Sequence, residues 1–170
     1  MLDADALARE VSSFPDVLKE VARAFGPEYV LKDGLNRPKL GELVFNNPEA
    51  RTVLNGIIHP RVRVEMARRQ TELESSGARA VVQDIPLLFE NNLQTLFDAT
   101  ILVDAPLEIR VARVVVRDGL TPDAVRARDA AQMSPLEKRK HATVTLENDG
   151  DLSSLERQLD AALEQVGLAS

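Results

Sequence analysis

Arg110, Arg113 and Arg117 stand three and four residues apart, a spacing that sets three guanidinium groups along one face of a helix. Guanidinium forks match phosphate oxygens two at a time, so such a face could converge on one polyanionic ligand. A solvated face with ordinary ion pairs has the same spacing. The Asp118-Gly119 turn and the helix-turn-helix after it tilt the reading toward a mobile basic lid. Asp3-Ala4-Asp5 heads a helix, where a carboxylate is either a simple cap or a proton acceptor for a hydroxyl attacking phosphorus. In Asp84-Ile85-Pro86-Leu87-Leu88-Phe89-Glu90, Asp84 and Glu90 flank a loop leaving a strand, the place where open α/β sheets bind ligands. The three apolar side chains between them read as packing. His59, beside Ile57 and Ile58, reads as a structural group. With His141 as the only other histidine and no cysteine, a histidine or thiolate metal site is not expected. A Gly-X-Ser-X-Gly elbow is absent, which sets aside the usual serine hydrolases.

The elements that must carry these groups alternate in type. Helices are expected over residues 4–13 and 16–25, with Phe14-Pro15 between them and Gly26-Pro27 as a stop. Residues 28–35 form a loop with an Asp33-Gly34 turn, KLGELVF is helical, and Asn47-Pro48 restarts a helix. His59-Pro60 is expected to break or kink the path, after which a polar helix runs to Ser75-Ser76-Gly77. Apolar runs at 80–85, 99–104 and 143–146 read as buried parallel strands. Helices open at Pro106, Thr121-Pro122 and Ser134-Pro135, and a last one over 152–166 should turn Leu152, Leu155, Leu159 and Leu163 inward. Strands separated by helices mean an α/β protein with a parallel sheet.

The chain of 170 residues, 44% hydrophobic, is long enough for one domain with a proper core. Its formal charge is -6, yet residues 110–140 hold eight basic against four acidic side chains, so that window is +4 and the remainder -10. An acidic body with 4% aromatic residues and no tryptophan argues against nucleic-acid partners and membrane-surface affinity, and leaves polyanion binding local. The lack of cysteine, of a signal peptide's apolar core and of any membrane-length apolar run fits a cytoplasmic protein.

Taken in order, DADALAREV, LNRPKLGELVFNNPEARTVLNGIIHP, QDIPLLFE, VVVRDG, RARDAAQM and LEND closely resemble dephospho-CoA kinase over essentially the whole chain. Each motif alone is weak, but six in this order are specific, and the His-Pro pair with the PLLFE loop separates the family from adenylate and shikimate kinases. The resemblance implies a three-layer P-loop kinase fold: a parallel sheet core (79–109 and 142–170), a helical substrate subdomain (about 14–78) and a small helical lid (110–141). It implies ATP and Mg²⁺ as cofactors, and transfer of the γ-phosphoryl group to the ribose 3′-hydroxyl of dephospho-CoA, the last step of coenzyme A synthesis. By the same resemblance Asp5 is the catalytic base, with Arg9 one turn on. Arg37 and His59 fall in the substrate subdomain, and Asp84, Pro86 and Glu90 in the loop facing the CoA precursor. Arg113, Arg117 and Arg128 are lid arginines that close over the phosphates, and Asn148 lies near the adenine.

The family opens with a strand, a Gly-rich loop ending in Gly-Lys-Ser or Gly-Lys-Thr, and a helix, all ahead of the DAD motif. Here that first strand, P-loop and first helix are absent, and none of the eight glycines precedes a lysine. The loop's amides cradle phosphates, its lysine reaches the transferred group, and its hydroxyl holds Mg²⁺. Two readings stay open: an N-terminally shortened form of an active kinase, whose activity belongs to the full-length protein, or a catalytically inactive relative that binds the CoA precursor or a protein partner. Both expect the 170-residue chain itself not to turn over.

Overall fold

Prolines and small polar caps set most helix starts. In the computed structural model, which describes residues 1–168, Asp3 caps α1 (Ala4–Val11) by accepting the Ala6 amide at 2.8 Å. Asn36 caps α3 (Arg37–Asn46), and Asn47 caps α4 (Pro48–Ser75) through the Ala50 amide at 3.0 Å, with Pro48 supplying a fixed φ where no donor is needed. Pro15 opens α2 (Pro15–Phe25). Later in the chain, α5 (Leu107–Asp118) ends on Gly119 at φ 68°, a left-handed terminus suited to glycine. Thr121 caps α6 (Pro122–Ala130), Ser134 caps α7 (Pro135–His141) and Asp151 caps α8 (Leu152–Gln165).

Six short strands pair two by two: β1 (Leu2–Asp3) with β4 (Gln83–Asp84) and β5 (Ile101–Asp104) with β6 (Val144–Glu147), both parallel, and β2 (Val30–Leu31) with β3 (Gly34–Leu35), antiparallel. The class is therefore α/β with parallel pairing, and the described residues contain eight α-helices. Among them no helix is long and apolar enough to cross a membrane.

The chain divides into two units, one ending at Pro86 and one starting at Leu87. In the first, Val11, Val17 and Val21, all at 0% exposure, pack with Leu40, Ile57 and Ile58 in one cluster. Each such valine contributes about 1.5–2 kcal/mol by leaving water. A second cluster, Leu2, Leu7 and Met66, lies under Val81 and Ile85 and ties the β1–β4 pair to α1 and α4. In the second unit the buried residues include Phe89, Val111, Val125, Leu146 and Ala162.

Four expectations change. Helix α4 does not break at His59-Pro60 but runs 28 residues through Pro60, because Ile57, Ile58 and Met66 bury on both sides and outweigh one missing hydrogen bond. The strand at 80–85 shrinks to Gln83–Asp84, although the Val82 carbonyl still accepts the Leu2 amide at 2.8 Å. The loop at 28–35 holds a short 3-10 turn (Pro27–Tyr29) and the β2–β3 hairpin around Asp33-Gly34. In α8, Leu152 is 70% exposed and Leu159 is exposed, whereas Ala162 is buried. Gln158 rotates the helix by clasping β6: its Nε2 donates to the Glu147 carbonyl at 3.0 Å and its Oε1 accepts the Glu147 amide at 2.8 Å.

Candidate functional site

The first unit holds Asp5, Arg9, Arg37, His59, Asp84 and Pro86. The β1–β4 ladder is in parallel register, Leu2 with Gln83 and Asp3 with Asp84, so two aspartates sit abreast at the carboxyl ends of neighbouring strands. Asp3 is spent on capping α1, and Asp5 follows in that helix's first turn, where the helix dipole favours its charge. Asp5 and Asp84 are both exposed. Arg9 lies one turn beyond Asp5, and its carbonyl accepts from Arg37 Nη2 at 3.2 Å, which joins the start of α3 to the end of α1. His59 is exposed on α4 while Ile57 and Ile58 turn inward. Pro86 is exposed after β4.

The second unit holds Glu90, Arg113, Arg117, Arg128 and Asn148. The arginines of α5 do not converge on one point. Arg110 turns to the Ala105 carbonyl at 2.9 Å and to Asp129, Arg113 donates from Nη1 to the Asn148 carbonyl at 2.9 Å, and Arg117 forks onto Asp118 at 2.7 and 2.9 Å. The Arg117 guanidinium holds the Asp118 carboxyl below its ordinary range, and the charge of Arg128 on α6 adds to this. Arg128 itself makes no ion pair within 4.0 Å among the described residues, and the one ion pair of Arg117 there is with its exposed neighbour Asp118.

Asn148 is fixed by its backbone: its amide donates to the Asp104 carbonyl at 2.7 Å while its carbonyl takes Arg113. Glu90 is engaged as well. Its Oε1 accepts the Met133 amide at 3.0 Å and pairs with Lys138 Nζ at 2.8 Å. Burial opposes the Glu90 charge, but Lys138 and the backbone donors prevail and hold its carboxyl below the usual range.

Sequence reasoning missed four residues here. Asp104, 8% exposed, and Glu147 stand opposite each other at the last pair of the β5–β6 ladder, and Arg139 from α7 bridges both. Lys138 and Arg139 were hidden in a basic run, Lys138 to His141, that reads as a helix C-terminus complementing its dipole. The available signal was that two strands end in a carboxylate.

Comparison with known proteins places these features in a group. The family model for dephospho-CoA kinase (CoaE) matches residues 1–154. A dephospho-CoA kinase of Deinococcus radiodurans is 49% identical over 166 residues, covering 98% of this chain and 80% of that protein. The crystal structure of TT1252 from Thermus thermophilus superposes with a TM-score of 0.82 at 44% identity, covering 96% of this chain and 83% of that one. A dephospho-CoA kinase from Campylobacter jejuni has a TM-score of 0.68 at 27% identity, covering 97% and 83%.

Proposed function

This chain belongs to the dephospho-CoA kinase family, and from that premise we propose that it supplies the acceptor side and the lid of an ATP-dependent phosphorylation of dephospho-CoA. The observation that carries the reading is the β1–β4 register, which sets Asp84 of the acceptor-facing loop beside the strand that delivers Asp5. In the proposed step Asp5 takes the proton of the ribose 3′-hydroxyl as that oxygen bonds to the γ-phosphorus. The bond from the γ-phosphorus to the β,γ-bridging oxygen breaks and ADP leaves with its electron pair. Arg9, Arg37, His59, Asp84, Pro86 and Glu90 belong to the acceptor's surroundings. Arg117 and Arg128 are the cations offered to the phosphates, with Arg113 holding Asn148 on the adenine side.

Mg²⁺ enters with ATP as part of that substrate, since this ion keeps phosphate and water ligands and needs only one or two carboxylates from a protein. The 170 residues contain no Gly-Lys-Ser or Gly-Lys-Thr loop. Phosphoryl transfer is catalysed almost wholly by positioning and by such charge-stabilising donors. Binding of the acceptor is therefore proposed for this chain without turnover by the chain alone.

Calorimetric titration of the 170-residue chain with dephospho-CoA is expected to show binding that Asp84→Ala weakens by about tenfold or more, the loss of a charge-assisted hydrogen bond. Absence of binding overturns the reading. In a coupled ADP-release assay the same chain is expected to show no ATP-dependent phosphorylation, and measurable turnover would refute the claim that the missing loop is indispensable.

A further inference from the structure

Resting on the reading of the loop at residues 84–90 as acceptor-facing, we infer that α7 is a strut by which Glu90 of that loop positions the nucleotide-side segment at Asn148, with Lys138 and Arg139 as its positioning residues. The first joint is Lys138 to Glu90, at 2.8 Å, with only 13% and 19% of the two side chains exposed. Exposed ion pairs contribute little and constrain little, whereas this one is largely withdrawn from water. Glu90 Oε1 also accepts the Met133 amide, and Lys138 donates to Gln132 Oε1 at 3.1 Å. One carboxylate thus gathers both the α6–α7 connection and α7 itself. Glu90 Oε2 is buried with no partner among the described residues. Beyond its own backbone amide, the carboxylate is held by Lys138 and the Met133 amide, and a shift of the loop pulls on both.

The second joint is one residue along the helix. Arg139 donates from Nε and Nη2 to Asp104 Oδ2 at 2.9 and 2.6 Å, and from Nη2 to Glu147 Oε2 at 2.8 Å. Asp104 and Glu147 are opposite neighbours at the carboxyl ends of β5 and β6. Asn148 comes next and hangs from the Asp104 carbonyl by its own amide. Between the joints lies one residue's rise, about 1.5 Å, of a Ser134-capped helix whose seven residues span about 10 Å. A displacement at Glu90 therefore reaches Asn148 through rigid backbone and charge-assisted hydrogen bonds at every step. Arg117 and Arg128 lie before Gln132, on α5 and α6, whereas α7 stays with the strand ends.

The test is hydrogen exchange by mass spectrometry on the 170-residue chain, with and without saturating dephospho-CoA. Exchange in residues 144–150 is expected to slow by about fivefold or more on binding, the lower range of ordinary coupling between sites. Lys138→Met is expected to bind dephospho-CoA within about twofold of the unaltered chain yet lose the slowing at 144–150, and Lys138→Arg to retain it. Slowing that survives Lys138→Met overturns the strut. So does affinity that falls in step with it, because Lys138 is then a ligand contact. Should Lys138→Met not fold, Lys138→Gln, which keeps a donor toward Glu90 without the charge, replaces it under the same criteria. An unaltered chain that does not bind dephospho-CoA overturns the proposed function and this inference with it, whereas binding without any slowing at 144–150 overturns the strut alone.

Discussion

Pro60 sits inside α4, four residues after Gly56, where its ring removes a backbone donor and presses on the Gly56 carbonyl. Replacing it with alanine restores an N–H aimed at that carbonyl. In a helix interior the exchange is favourable by about 3 kcal/mol. Two effects oppose it. Pro60 is half-buried, so trimming its ring forfeits about 1 kcal/mol of burial. Proline also restricts the unfolded chain, an advantage of about 0.4–1 kcal/mol that alanine lacks. Pro60→Ala is therefore expected to stabilise the protein by about 1–1.5 kcal/mol. Urea unfolding followed by far-ultraviolet circular dichroism should show a higher midpoint with an unchanged slope. The thermal midpoint should rise by about 2–4 °C per kcal/mol for a chain of this size. A midpoint that falls refutes the reasoning: the burial of Ile57 and Ile58 would then require the local geometry that the proline imposes, and the helix would not have been formed in spite of it.

Val21→Ala removes two methyl groups from a site with no exposure and should cost about 2 kcal/mol from lost transfer and residual cavity; the same denaturation experiment reads it, and a change near zero would mean that the cluster collapses around the gap. Glu65 is held at about 2, below its ordinary 4.5, by Arg68 first and Arg69 second. A depressed carboxylate contributes stability above its unfolded value and loses it as pH falls toward the folded one. Between pH 4.5 and about 2 the unaltered protein should therefore lose more stability than Glu65→Gln. Urea midpoints measured across that range check this, with the difference shrinking in high salt because the network is at the surface.

The parts legible in the sequence were those whose cause is local. Asn47-Pro48, Thr121-Pro122 and Ser134-Pro135 each carry a cap and a pre-set φ in adjacent residues, and all three open helices. Val17 and Val21 follow helical spacing into the core. The β1 strand is two residues long, too short for any period, and exists only because Gln83–Asp84 lies beside it. The α8 leucines follow a helical stripe, but a single glutamine side chain bonded to a strand edge rotated that stripe toward solvent. In the site, the resemblance named residues by position, and helical spacing placed Arg110, Arg113 and Arg117 on one face. It could not tell that each guanidinium finds a carboxylate or a carbonyl of its own: the acceptors of Arg110 and Arg113, Asp129 and the Asn148 carbonyl, come from distant segments, and Arg117 turns aside to its neighbour Asp118. The Asp104–Arg139–Glu147 bridge is a tertiary fact of the same kind.

The core of the first unit is assembled from segments far apart in time as well as in sequence. Val11, Val17 and Val21 share their cluster with Ile57 and Ile58, so during synthesis their apolar faces emerge well before their partners are made. At ordinary translation rates the interval between residue 21 and residue 58 is about 2–7 s. Throughout it α1 and α2 have only one another and the segment up to Leu40 to pack on. A nascent chain that pauses within that stretch leaves part of this apolar face open to other chains, and the arrival of α4 is what closes it.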